Sequence, residues 1–460
     1  MKIQTSLSEQ DGVSSREIWE KQVRKELKEN TDKLDTWKIG TDLHFEPYAT
    51  QEDCKDERIE TVQLCQKQTP GWLNMPLIQG TDFESVKYSA ENALKQGADA
   101  ILLKMDWPDL LQMDESQHFL SNPENTIFFQ TPEYPEVLIK EIYKSSALNW
   151  KGGIAFDPLA NWMRTGTHFA GSVDSVATIL NNAGSKKDFR PLMIESHVFH
   201  YSGATPVQEL AFLIASTVTY LDYLTDAGVS AQKVFENLYF SVPAGTHYLT
   251  EIAKFRALRY LFFKIGRAYR VPDQQCRAFV HATTSSFYYA EKSTHNNIIR
   301  ATSEAMSAVT GGCDALTTLP FDFCSGQLNE FPDRIARNVS NILAHESLLN
   351  QVADPASGSY LLENMTLSLA DAAWELFLET EEKGGLERCF ENGFIQDELD
   401  KSLNSSTAAF GTGKILVGVN KFEEQESDSS FRNEEKVFSR ENRNGLQLLI
   451  AKNLSQLIRS

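Results

Sequence analysis

Seven short apolar runs recur along this chain, with long helical patterns between most of them, and no other feature constrains the fold as tightly. The runs are 98-ADAILLKMD-106, 126-TIFFQ-130, 153-GIAFD-157, 191-PLMIES-196, 237-NLYFSV-242, 278-AFVHATT-284 and 314-DALTTLP-320. They lack strict alternation of apolar and polar residues, which is how strands covered on both faces read. Between them lie patterns such as 206-PVQELAFLIASTVTYLDYLTDAG-228, 249-LTEIAKFRALRYLFFKIGRAY-269 and 296-NNIIRATSEAMSAVTGG-312. Repeated units of this kind predict a parallel α/β fold, and their number favours a closed (β/α)8 TIM barrel over an open sheet.

Polar residues fall where these strands should end: Asp106, Asp157, Glu195 to His197, His281 to Thr284, and Thr317 with Thr318. In a barrel, that end is the mouth where ligands bind. Any one of these residues reads equally well as a turn former or helix cap, but their recurrence predicts a pocket.

The segment 195-ESHVFHYSGAT-205 carries two histidines, His197 and His200, three residues apart. The context is strand-to-loop, no third ligand lies nearby in sequence, and HExxH is absent, so no metal site is expected. GxSxG, GxGxxG and the phosphate-binding GxxxxGK[ST] are also missing; 411-GTGK-414 lacks the preceding glycine. His197 and His281 are candidate general acid–base residues, or else wall residues with satisfied hydrogen bonds.

The balance of 44 Lys+Arg against 63 Asp+Glu gives a net charge of −19, which disfavours nucleic acid and anionic membranes as partners. Six scattered cysteines without a CxxC read as reduced thiols. No apolar stretch is long enough for a membrane span, and the N-terminus has no signal-peptide character, so a cytoplasmic protein is expected.

The first helical pattern, 14-SSREIWEKQVRKELKEN-30, places Ile18, Trp19, Val23 and Leu27 on one stripe, followed by short extended segments. Residues 1–68 therefore read as an arm, 69–410 as the barrel, and 411–460 as a charged linker with a C-terminal helix over 440–460.

Several longer stretches resemble methylmalonyl-CoA mutases: 202-SGATPVQELA-211, 249-LTEIAKFRALRYLFFK-264, 294-THNNIIRATSEAMSAVTGG-312, 333-DRIARNVSNILAHES-347, 353-ADPASGSYLLENMTLSLADAAWELF-377 and 415-ILVGVNKF-422. The likeness runs through most of the chain, in order. It implies a TIM barrel and a part in the adenosylcobalamin-dependent radical interconversion of methylmalonyl-CoA and succinyl-CoA.

The same resemblance exposes departures. The family's cobalamin loop, D-x-H-x-x-G, finds only 42-DLHFEP-47, with Pro47 in place of glycine. Beyond 415-ILVGVNKF-422 only Glu423 to Ser460 remain, fewer than the ~100 residues a flavodoxin-like domain needs, so no cobalamin domain is expected here. Against the family's G-Y-H-M-Q-E-A-G-A-T, the catalytic histidine falls at Val198, with His197 at the tyrosine and His200 at the glutamine. Side chains alternate along a strand, so His197 should not substitute for it. The substrate-carboxylate arginine falls at Thr165, with Arg164 one step away. In T-H-x-Q-T-S-G-W, His281 is kept but glutamine becomes Thr283. The R-G-Y-D loop has no counterpart near 103-LKMDWPDLLQ-112.

These losses imply a non-catalytic small subunit, binding no cofactor itself, in a heterodimer with a cobalamin-binding large subunit. Expressed without that partner, it is open to forming a homodimer. Arms like residues 1–68 contact the other subunit in the family. Asp106, Asp157, Arg164, His197, His200, His281 and Thr284 would then line a degenerate mouth. The alternative is an independent barrel enzyme or acyl-CoA-binding protein with a rebuilt mouth.

Overall fold

The computed structural model describes residues 15–27, 37–39, 43–46, 48–80, 82–105, 119–120, 122, 124–144, 150–182, 188–326, 329–423, 442–443 and 445–459. Asp106, one of the residues expected at the mouth, lies outside the described residues, as does most of the charged linker. An antiparallel hairpin, β1 (Trp37–Ile39) and β2 (Leu43–Phe45), precedes the main body.

Ten strands build that body: β3 (Leu73–Asn74), β4 (Leu77–Gln79), β5 (Ile101–Lys104), β6 (Thr126–Gln130), β7 (Lys151–Ile154), β8 (Phe189–Arg190), β9 (Leu192–Glu195), β10 (Leu238–Ala244), β11 (Val280–Thr284) and β12 (Ala315–Thr317). They form two five-stranded sheets, β3-β12-β11-β10-β9 and β4-β5-β6-β7-β8. Every pairing in both is parallel. The protein is thus α/β with parallel sheets.

All seven predicted runs become strands. The stretch over β3 and β4 was not among them, because Pro76 interrupts it and a proline argues against a central strand. Pro76 separates β3 from β4, and Pro191 separates β8 from β9. Each removes a ladder donor. The chain still bonds to both sides of the first break: Met75 N donates to Leu316 O at 2.9 Å, and Leu102 N donates to Pro76 O at 3.0 Å.

Side chains divide into two layers. One face of the strands contributes Met75, Leu102, Phe128, Met193, Tyr239 and Ala315 to a single apolar cluster drawn from both sheets. The opposite face, with Ile101, Leu103, Phe129, Ile194, Phe240 and Leu316, packs beneath the helices. Gly152 permits the closest approach. At φ +121°, an added Cβ would lie 1.9 Å from Ile127 O of the neighbouring strand.

The Pro206–Asp226 helix starts where its sequence says it should. Pro206 sits in the first turn, and Thr205 and Gln208 bond reciprocally in a capping box. This helix packs against Tyr248–Ala268 and Tyr360–Glu382. Arg58–Cys65 also joins the body. Val62 is fully buried there, and Arg58 Nη1 reaches Asp371 Oδ1 at 2.6 Å.

Two local expectations need correction. His197–His200 is a turn of helix after β9, not extended chain, so strand alternation does not govern which way those side chains face. The helical pattern over 440–460 gives helix only at Leu454–Arg459. Gly445 at φ +80° turns the chain before it, and Asn442–Arg443 pairs with Leu446–Gln447 instead.

Candidate functional site

A row of residues in register crosses the sheet, from the last residue of β9 through the middle of β10 to the starts of β11 and β12. Glu195 pairs with Ser241, Ser241 with His281, and His281 with Ala315. Within and beside this row runs an unbroken hydrogen-bonded chain. His197 Nε2 lies 3.0 Å from Ser241 Oγ, and Ser241 Oγ lies 3.1 Å from His281 Nδ1. His281 Nε2 lies 2.9 Å from Thr317 Oγ1, which donates to Met75 O at 2.6 Å. Burial pushes the His281 imidazole down to about 3 and that of His197 down to about 4.

Asp157 closes β7 and caps the Pro158–Thr165 helix, accepting from Ala160 N at 3.1 Å. That oxygen, Oδ1, also accepts from Tyr220 Oη at 2.5 Å, and Oδ2 accepts from Glu195 N at 2.9 Å. Burial and the neighbouring Glu195 charge raise its carboxyl to about 6. Arg164 extends from the same helix to pair with the buried Glu195. Asp157, Arg164, Glu195 and His197 are therefore brought together at one part of the strand ends.

His200 belongs to a different network. Its Nδ1 lies 2.8 Å from Glu209 Oε1, and its Nε2 lies 2.7 Å from Ser285 Oγ. Lys254 Nζ sits 3.1 Å from Glu209 and 2.6 Å from Glu251. Burial opposes charge on Glu209, but Lys254 and His200 outweigh it and hold the carboxyl below its ordinary value. Glu304 accepts from Ser285 N at 2.9 Å, and burial pushes its carboxyl well up. Ser285, His200 and Glu209 have the spacing of a nucleophile–base–acid triad. Yet Ser285 is fully buried, and Phe287 and Tyr288 pack edge-on against the His200 ring. The arrangement holds together the loop after β11 rather than offering a nucleophile.

Glu209, Lys254, Glu251, Ser241, Ser285 and Glu304 were not foreseen. A signal existed for two of them. Glu209 in 207-VQELAFLIA-215 and Lys254 in 252-IAKFRAL-258 are charges inside apolar runs, and a buried charge requires a partner.

Val198, Thr165 and Thr283, the positions expected from the resemblance to replace reactive residues, are taken up by the fold. Val198 is 3% exposed and lies in the main apolar core. Thr165 Oγ1 donates to Asn161 O within its own helix at 2.8 Å. Thr283 is buried at the end of β11, and Thr284 Oγ1 accepts from Leu319 N at 2.8 Å.

His44 of 42-DLHFEP-47 stands exposed on β2, in a hairpin rather than a loop at a strand end. No group of three or more His, Cys, Asp and Glu among the described residues is placed to hold a metal ion. A cavity of about 130 Å³ lies between Ser202, Leu399 and Leu448–Ile450, beneath the C-terminal segment and apart from the strand-end chain. That segment is tied down by Leu449 N to Met163 O at 2.9 Å and Lys452 N to Tyr201 O at 2.8 Å. No described helix is long and apolar enough to cross a membrane.

Comparison with known proteins bears on this arrangement. The family model described as methylmalonyl-CoA mutase matches residues 137–453. The methylmalonyl-CoA mutase small subunit of Porphyromonas gingivalis is 27% identical over 429 residues, covering 89% of this chain and 69% of its own length. The small subunit of Propionibacterium freudenreichii subsp. shermanii is 30% identical, covering 72% of this chain and 53% of its own. That of Streptomyces virginiae is 36% identical over 54% of this chain and 40% of its own. The chain thus spans roughly half the length of two of these three relatives and about two thirds of the other. With the match extending from before β7 to the C-terminal segment, through every strand of the polar row, the chain belongs to the methylmalonyl-CoA mutase family.

Proposed function

We propose that this chain is the small, non-catalytic subunit of a heterodimeric methylmalonyl-CoA mutase, acting in the cytoplasm to stabilise a larger, cobalamin-bearing chain. The observation that carries the reading is Val198. The position that the family likeness assigns to the catalytic histidine is a valine packed into the apolar core. Arg164, the arginine nearest the expected carboxylate clamp, is engaged by Glu195. Adenosylcobalamin, held by the partner, would supply the radical chemistry that interconverts methylmalonyl-CoA and succinyl-CoA.

In this reading the two sheets are halves of one (β/α)8 barrel. The contiguity of β3 with β4 and of β8 with β9, and the apolar cluster shared by both sheets, support it. Residues 1–68 form an arm that reaches the partner. Its support is the first helix, where Ile18 is 44% exposed and Trp19, Val23 and Leu27 are only partly buried.

Co-purification with the cobalamin-bearing chain, followed by assay of each chain alone and together, tests the proposal. The expected result is a stable complex that turns over methylmalonyl-CoA, and no turnover by this chain alone with added adenosylcobalamin. Turnover by the lone chain would overturn it and favour an independent enzyme built on the Arg164, Glu195 and His197 cluster.

A further inference from the structure

The chain from Met75 to His197 leaves no freedom in where its protons sit. A backbone carbonyl only accepts, so the Thr317 hydroxyl spends its single proton on Met75 O. The contact between Thr317 Oγ1 and His281 Nε2, 2.9 Å, then needs its proton from the imidazole. His281 is 2% exposed and faces no carboxylate among the described residues, so it is neutral, and a neutral ring protonated at Nε2 has a bare Nδ1. That Nδ1, 3.1 Å from Ser241 Oγ, must accept the serine proton. Ser241 has no second proton to give, so His197 Nε2, 3.0 Å away, donates to it. Burial also keeps His197 neutral near pH 7. Its Nδ1 is the open end of the chain. Among the described residues no hydrogen-bond partner meets that atom, and His197 is partly exposed, two residues past the end of β9.

We propose that His197 Nδ1 is a built hydrogen-bond acceptor at the strand ends, taking a neutral N–H or O–H donor such as an amide or a hydroxyl of a bound ligand. The charges around it select that class. Glu195 and Arg164 both act on the ring, and they neutralise one another as an ion pair. An anion would bring no proton and would face the lone pair beside Glu195. A cation would find no net attraction at the neutralised pair to offset its lost hydration. A neutral donor meets neither penalty. The inference does not depend on the subunit role proposed above, because it concerns only the tautomer and the exposed atom of this chain.

The test is a heteronuclear NMR measurement of imidazole tautomers on the full chain labelled with 15N-histidine. Signals are assigned by their loss in His197→Gln and His281→Asn. The expected result at about pH 7 is that both rings are neutral and protonated at Nε2. An Nδ1-protonated or charged ring at either position would overturn the chain of inference. Thr317→Val removes the hydroxyl that sets the direction and should shift His281 toward mixed tautomers, whereas Thr317→Ser should leave the spectrum unchanged. For the ligand class, acetamide should shift the His197 Nδ1 resonance and acetate should not. A shift with acetate, or with neither probe, rejects the proposed acceptor role.

Discussion

Lys254 and Glu209 form an ion pair at 3.1 Å in which the ammonium has no exposed surface and the carboxylate 3%. Glu251 shares the same ammonium at 2.6 Å, and Pro243 O accepts a third bond from it at 2.8 Å. Two helices and the end of β10 are therefore tied through one atom. Removing a single member of a buried charge cluster leaves the others uncompensated, which costs more than the cluster contributes as a whole.

Lys254→Met should accordingly destabilise the protein by about 3–5 kcal/mol, because two buried carboxylates lose their cation. Urea denaturation monitored by circular dichroism reads this directly. Adding Glu209→Gln to Lys254→Met should recover part of the loss. A single-mutant cost below about 1 kcal/mol would show that water reaches the cluster and that it is not the tie described.

Gly152 sets a backbone test of the β6–β7 pairing. Its φ of +121° disfavours any side chain, and an alanine Cβ would lie 1.9 Å from the Ile127 carbonyl oxygen. Gly152→Ala should abolish soluble expression or lower Tm sharply. Gly171 lies in the Ala170–Asn182 helix with nothing within 4 Å of an added Cβ. Gly171→Ala should be neutral or stabilise by up to about 1 kcal/mol, through helix propensity. Equal thermal stability of the two variants would contradict the strand register.

The strands were legible because burial on both faces writes itself as uninterrupted apolar runs, as 126-TIFFQ-130 shows: it matches β6 end to end. The same signal failed at β3 and β4, where Pro76 cuts the run at a seam between sheets. The candidate site was legible only as a set of polar residues at strand ends. Which of them meet depends on long-range packing. His197 and His200, three residues apart, share no hydrogen-bond partner among the described residues, while His197 and His281, distant in sequence, are linked through Ser241. Ser241 itself carries no sequence signal, since a serine in an apolar strand looks like a filler until its neighbours in register are known.

His281 gives the stability a pH dependence with a defined sign. Its folded value is about 3 against an ordinary 6.5, so the unfolded chain takes up a proton that the folded chain refuses. The contribution is intact above pH 6.5 and is lost progressively as pH falls toward 3. Asp157, raised to about 6, works the other way, because the folded state binds its proton first. The clean measurement is therefore a difference. Wild type should lose about 2 kcal/mol more than His281→Asn between about pH 6.5 and pH 5, read from urea midpoints at each pH. Identical pH slopes would mean that the ring titrates normally in the folded protein.

The last prediction concerns the arm. The contacts of the first helix with its own chain include Trp19 stacked on Tyr48 at 5.1 Å and Arg16 paired with Asp53 at 2.9 Å and with Glu46. Ile18 remains 44% exposed. Fully burying a side chain of this kind contributes roughly 1.5–3 kcal/mol before entropy is subtracted, and at Ile18 part of that gain is unrealised in the isolated chain, while Trp19, Val23 and Leu27 are half-buried. Residues 58–65 differ, because Val62 and Cys65 are buried against the body and Arg58 is held by Asp371. Deleting residues 1–36, which leaves the buried Phe45 in place, should therefore spare the fold, with Tm within a few degrees of wild type, while weakening assembly with the proposed cobalamin-bearing chain at least about tenfold in Kd. Ile18→Asp with Val23→Asp in the full-length chain should act in the same direction, since it places charge on the stripe without shortening the chain. Undiminished affinity in both variants, measured by titration calorimetry against the partner, would leave the helix without an interchain role.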